Sequence, residues 1–190
     1  MVLLWTKLNK NNVMDDILLN TEEYILKAKD HIDCWDYIQA KRLLMELLED
    51  QPDHGRAHQL LGWIYASQLN QYDMAEVHFK MAIRFEPNHA TTYSDYIYLL
   101  KMTSRYKEMI KFAERAEKVD GINLAYIQRN KAEAYEMLRD YKKAISTYSE
   151  AIINTLDEDL ISCCEGGIER IARKIKIKEQ LDYITTLNVA

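Results

Sequence analysis

Glycine and proline are scarce, with 5 and 2 among 190 residues. A chain so poor in turn-formers has few loops and no glycine-rich loop to cradle a phosphate. Cysteine is scarce and odd in number: three, of which Cys163 and Cys164 are adjacent and too close to bridge each other. That pattern is no disulfide framework, and it sets the expectation of a reduced, cytoplasmic setting. Long apolar runs are missing as well. Val2–Trp5 and Tyr96–Leu100 are the longest, far short of a membrane span. Met1–Trp5 has no basic segment before it, so no signal peptide is expected. Basic excess is also lacking: the net charge is −5 and the pI near 5.6, which argues against sequence-independent binding of nucleic acid.

Catalytic constellations are absent too. The five histidines His31, His54, His58, His78 and His89 form no H-E-x-x-H, and no C-x-x-C occurs. His31 and Cys34 lie three apart, and His54 and His58 four apart. At both places interior packing is expected in preference to metal or thiol chemistry. Cys163 and Cys164 are expected to be small buried apolar residues. No cofactor, metal or enzymatic activity is expected.

What the chain does have is 48% hydrophobic and 29% charged residues of both signs, enough for a core and a solvated helical surface. Its length corresponds to one domain. It also repeats. Tyr37, Tyr72, Tyr106 and Tyr141 are spaced 35, 34 and 35. Ala40, Ala75, Met109 and Ala144 follow at the same intervals. Two further columns run Leu44, Phe79, Ala113, Tyr148 and Leu47, Ala82, Ala116, Ala151. A small-residue column in the preceding helix reads Ala28, Gly62, Ile97, Ala132, Gly166, with Ile97 the irregular member. Small residues let two antiparallel helices approach, and the aromatics beside them fill the space. Pro52 and Pro87 stop helices, and Gly121 is expected to turn left-handed.

Residues 56–89 are the sharpest copy. Leu61, Gly62, Tyr65, Ala75, Phe79, Ala82 and Pro87 follow the order W-x2-L-G-x2-Y … A-x3-F … P, with His58 at the Trp. The chain therefore resembles the tetratricopeptide repeat family over about residues 21–175. The resemblance implies an all-α, right-handed α-solenoid of about four helix pairs plus a C-terminal capping helix. The expected organisation is a capping segment at 1–20, repeats at 21–54, 55–89, 90–124 and 125–158, and a capping helix and tail at 159–190. In the last helix, Arg170, Arg173, Lys174, Lys176 and Lys178 are expected to form the polar outer face that keeps a repeat array soluble.

In this family the first helix of each repeat lines an inner groove. That places Ile25, Leu26 and Lys29, then Arg56, Gln59, Leu60 and Trp63, then Asp95 and Tyr98, then Tyr126, Arg129 and Asn130 toward it. Arg56, Gln59, Trp63, Asp95, Tyr98, Tyr126, Arg129 and Asn130 are the candidate peptide-binding residues. Trp63, Tyr98 and Tyr126 would supply buried area, and Arg129 and Asn130 hydrogen bonds to an extended peptide or its carboxylate. The family's carboxylate clamp for chaperone tails is missing: Ile25, Leu60, Thr91 and Asp95 stand where it needs Lys, Asn, Lys and Arg. The expected function is a non-catalytic protein-interaction module that holds a peptide or helix of a partner in its groove. The alternatives are a small secretion-type chaperone shielding a client segment, and a structural subunit. Homo-oligomers through the N-terminal segment, around Trp5, or the Leu181–Leu187 tail go with the last.

Overall fold

The computed structural model describes residues 21–187, and all of the secondary structure in that span is helical. The segment at 1–20, with Trp5, lies outside the described residues. Helix α1 covers residues 21–33. It is followed by α2 (Tyr37–Asp50), α3 (Gly55–Ser67), α4 (Tyr72–Phe85) and α5 (Ala90–Met102). Then come α6 (Tyr106–Ala116), α7 (Leu124–Met137), α8 (Tyr141–Ile153) and α9 (Glu158–Leu187). The chain forms two compact units that divide between Thr92 and Tyr93, within α5. α9 continues to Leu187, so the Leu181–Leu187 stretch, read from the sequence as a tail, is helix.

Every helix pair is closed by the same turn. Trp35, Asn70, Ser104 and Arg139 all have positive φ, between 53° and 63°. Each stands two residues before the tyrosine of its repeat. The N–H of the next residue then donates back to the first helix: Asp36 to His31 at 2.8 Å, Arg105 to Leu100 at 2.9 Å and Asp140 to Tyr135 at 2.9 Å. This is the six-to-one bond of a Schellman motif. In the second pair, Gln71 N–H reaches Tyr65, again at 2.9 Å, one residue further back. The loop takes up the extra residue, and Leu69 N–H closes onto Ile64 instead. Asp36 and Asp140 complete the turn by accepting from Gln39 and Lys143 as N-caps of α2 and α8.

The repeat columns are the core. Ala28, Ala40, Leu44, Ala75, Phe79, Ala82, Ile97, Met109, Ala113, Ala116, Ala132, Ala144 and Ala151 have no exposed surface. In the first unit α3 and α4 run antiparallel. A Cβ at Gly62 would stand 2.7 Å from the Phe79 ring, and Glu86, just after α4, accepts from the Arg56 N–H at the start of α3. Here His58 and His78 meet Nδ1 to Nδ1 at 2.9 Å. His58 Nε2 is 3.0 Å from the Pro52 carbonyl, which can only accept. His58 therefore keeps its proton on Nε2, and His78 donates from Nδ1 to its bare Nδ1. Phe85 stacks on His58 and Tyr65 on His78.

In the second unit Tyr93 and Tyr96 pack around Phe112 between α5 and α6. Asn154 at the end of α8 donates to Gln128 near the start of α7. The close approach of α9 corrects the sequence reading. Gly166, the column residue, has open space where a Cβ would be, and Gly167 is the tight one, 2.6 Å from the Tyr148 ring. Along α9 it is the neighbouring face, with Cys164 and Ile171, that packs into the core. Arg170, Arg173, Lys174, Lys176 and Lys178 are exposed along α9, and two of these cations also reach a partner on α7. Arg170 reaches inward to Glu136 on α7 with Nε at 2.8 Å and a second nitrogen at 2.7 Å, and Lys174 adds Nζ at 2.8 Å. Glu136 is 4% exposed and also accepts from the Tyr148 hydroxyl at 3.3 Å. The Arg170 hydrogen bonds hold its carboxyl at about 2. Burial and the same carboxylate push the Tyr148 phenol above its ordinary value.

Three outcomes follow for stability. Glu136→Gln leaves two cations facing a neutral amide. Both are partly solvated, so the expected loss is about 1–3 kcal/mol in urea unfolding, at the lower end for breaking a buried pair. Arg139→Gly relieves a left-handed backbone and should stabilise by about 0.5–1 kcal/mol, since the penalty at such a residue exceeds the entropy that glycine adds to the unfolded chain. The third concerns pH. Burial, with His58 and Lys41 adding to it, pushes His78 down to about 4. Between roughly 6.5 and that value the unfolded chain binds a proton that the folded chain refuses, so stability is full above the window and is lost as pH falls through it. The urea midpoint should fall between pH 7 and pH 5 by an amount equal to about 1–2 kcal/mol, and His78→Leu should flatten that slope.

Candidate functional site

The candidate residues divide between the units. Arg56, Gln59 and Trp63 lie on α3 in the first unit. Asp95 and Tyr98 on α5 and Tyr126, Arg129 and Asn130 on α7 lie in the second. Arg56 forms an ion pair with Glu22 on α1 at 3.0 Å. Trp63 is half-buried, with its ring 6.1 Å from Tyr37 on α2. Gln59 is buried, as are Ile25 and Leu60, which were expected to face a groove and instead join the core.

In the second unit α5 and α7 lie alongside one another. Lys101 donates to Glu133 at 2.7 Å, and Arg129 approaches the same carboxylate at 3.8 Å. The Arg129 guanidinium stands 6.0 Å from the centre of the Tyr126 ring. Burial raises the Tyr126 phenol above its ordinary value; the Arg129 cation and the Asn130 side chain oppose that rise, while Asp95 and Glu133 add to it. Asp95, Tyr98 and Lys101 are three apart on α5, so Tyr98 lies between the two α5 side chains that act on α7. It remains 38% exposed. Asp95 and Tyr98 on α5 and Tyr126 and Arg129 on α7 thus lie on the two helices that the Lys101–Glu133 pair joins, two tyrosines set among charges of both signs.

Asn130 does not join these residues as expected. It is 2% exposed, and its Nδ2 donates to the Tyr126 carbonyl of its own helix at 2.8 Å. The α7 turn that orients Tyr126 is itself capped, with Asn123 accepting from the Tyr126 N–H. The expectation of a hydrogen-bonding asparagine rested on its position in the repeat, and that position is turned into the helix packing.

The cysteines and histidines sort by burial. Cys164 is buried, and burial raises its thiol above the ordinary value. Cys163 is exposed, against the expectation that both are core. His31 is half-buried, not interior, and its Nδ1 faces Asp36 at 3.3 Å. His54 caps α3 by accepting from the Ala57 N–H. Among the described residues no group of three or more His, Cys, Asp or Glu is placed to hold a metal ion. Nor is any described helix long and apolar enough to cross a membrane.

The sequence reading missed a second surface, on the outside of α2. Trp35 and Ile38 are 78% and 80% exposed. The Trp35 ring is 6.3 Å from Tyr37, so Trp35, Tyr37 and Trp63 form an aromatic row. The signal was available in the repeat columns. Where α2 has Ile38, the later pairs have Asp73, Lys107 and Lys142. Where it has Met45, they have Lys80, Glu114 and Ser149.

Known proteins agree with the repeat columns. The family model for the tetratricopeptide repeat matches residues 55–89. The DnaJ homolog subfamily C member 3 homolog of Dictyostelium discoideum is 28% identical over 79% of this chain. The chain spans about a third of that relative's length, 32%. Among solved structures, Pseudomonas aeruginosa pilF superposes with a TM-score of 0.70 at 14% identity, over 87% of this chain and 75% of its own. A thermophilic tetratricopeptide-repeat protein of Thermus thermophilus does so with 0.62 at 14%, over 78% and 81%. A matched tetratricopeptide repeat at residues 55–89 and an all-α solenoid fold shared with these structures are what the chain has in common with the tetratricopeptide repeat family.

Proposed function

We propose that the chain is a non-catalytic interaction module that holds a peptide or helix of a partner protein against the first helices of its repeats. The observation that carries this is the α5–α7 surface. Tyr98 on α5 is kept partly in water, the Arg129 guanidinium stands 6.0 Å from the Tyr126 ring on α7, and the Lys101–Glu133 pair joins the two helices. Partly exposed tyrosine next to arginine is the composition from which interface hot spots are drawn. Rigid aromatics bury much area at little conformational cost, and Arg129 gives direction. The Lys101–Glu133–Arg129 network neutralises most of the local charge, so the partner segment is held mainly by apolar and aromatic burial. On α3, Trp63 and Arg56 are proposed as contacts of the same kind within the first unit.

The test compares the wild-type chain with Tyr98→Ala/Arg129→Ala, using a photo-crosslinking amino acid at Ser94, one turn away on α5. Wild type should crosslink one partner protein in native lysate, and the double variant should lose at least about 90% of it while its helicity and melting stay near wild type, as truncation of two hot-spot residues predicts. Equal crosslinking by both proteins would remove the α5–α7 surface as the site. A double variant that unfolds would show that those side chains act as core.

A further inference from the structure

The outer face of α2 combines exposed apolar residues with an ordered run of charges along one stripe. Its buried side carries Ala40, Leu44 and Leu47. On the opposite side, along one stripe, stand Ile38, Arg42, Met45 and Glu49 at i, i+4, i+7 and i+11. Ile38 and Met45 are exposed. With Tyr37, Lys41, Glu46 and Leu69 the stripe lines an open depression of about 730 Å³. The charges on it are ordered: Lys41 and Arg42 come in the first half of the helix, Glu46 and Glu49 in the second. None of these groups ties α2 to its neighbours strongly. Arg42 donates to Gln39 of its own helix, Glu46 takes an exposed bond from Tyr24, and Lys41 stands over the Tyr65 ring.

A face whose charge changes sign along its length is its own complement when turned end for end. That is the requirement of a two-fold, isologous contact. We propose that this face binds a second copy of the chain, α2 against α2, antiparallel, with the two-fold axis beside Met45. Arg42 of each copy then meets Glu49 of the other, and Lys41 meets the acidic last turn. Met45 is covered at the axis, and Ile38 lies against the end of the opposite helix near Pro52. A parallel arrangement would set like charges together, so the charge order selects both the partner and the direction. The surface is separate from the α5–α7 site, and the proposal stands whether or not that site binds a partner.

The test is sedimentation equilibrium on the whole chain and on two exposed single variants, Arg42→Glu and Glu49→Arg. Wild type should show a monomer–dimer equilibrium in the micromolar range. Each variant alone places like charges opposite one another twice and should weaken association by at least about tenfold. An equimolar mixture of the two variants restores opposite charges at both positions and should associate to within about threefold of wild type. A wild-type chain that stays monomeric through the micromolar range would overturn the proposal. So would a dimer that neither substitution weakens, or one that the mixture fails to restore.

Discussion

Four turns hold this fold in register. Each reverses the chain within a helix pair by placing one residue in the left-handed region, and the next N–H then closes onto the last turn of the first helix. The left-handed residue fixes where the second helix starts, and thereby which of its side chains face the first. Trp35, Asn70, Ser104 and Arg139 do this with four different side chains, only one of them a residue type that favours the conformation. The backbone bond, rather than the residue, is what recurs. Once it is made, the small-residue columns come opposite one another, and Gly62 can admit Phe79 at van der Waals distance.

The second unit adds a different kind of constraint. Glu136 is a buried anion, and a buried anion is tolerable only when its oxygens are filled. Arg170, Lys174 and Tyr148 fill them, joining three helices through one carboxylate. This is how α9 is fixed to the two helices before it. The aliphatic contacts of Cys164 and Ile171 bury area without specifying position along the helix axis. A two-pronged guanidinium on a carboxylate does specify it.

Most of the architecture could be read from spacing alone, because packing columns in a repeat protein are the same physical demand met several times. What could not be read was side-chain direction at positions outside those columns. Asn130 was assigned outward from its place in the repeat, and it points into the helix. Arg170 and Lys174 stand on the solvated face that their charge suggests, but nothing in the spacing indicates that both tips reach Glu136 on α7. Gly166 keeps the column spacing but has open space around it, and Gly167 makes the contact with Tyr148. Trp35 and Ile38 lie outside the columns that agree between repeats, so those columns do not point to them. The informative feature was an apolar residue where its counterparts are polar.

The one-residue excess in the loop after α3 has a wider meaning for how such chains change length. The loop takes up Asn70 and its neighbours by letting the return bond reach back one carbonyl further, and the helices on either side keep their facing sides. An inserted residue here is therefore a local event and sends no phase error down the array. A periodicity search with a rigid window loses the frame at this loop, while the folded chain does not. A pair with one residue more in its turn therefore stands beside the others with its helix pairing intact.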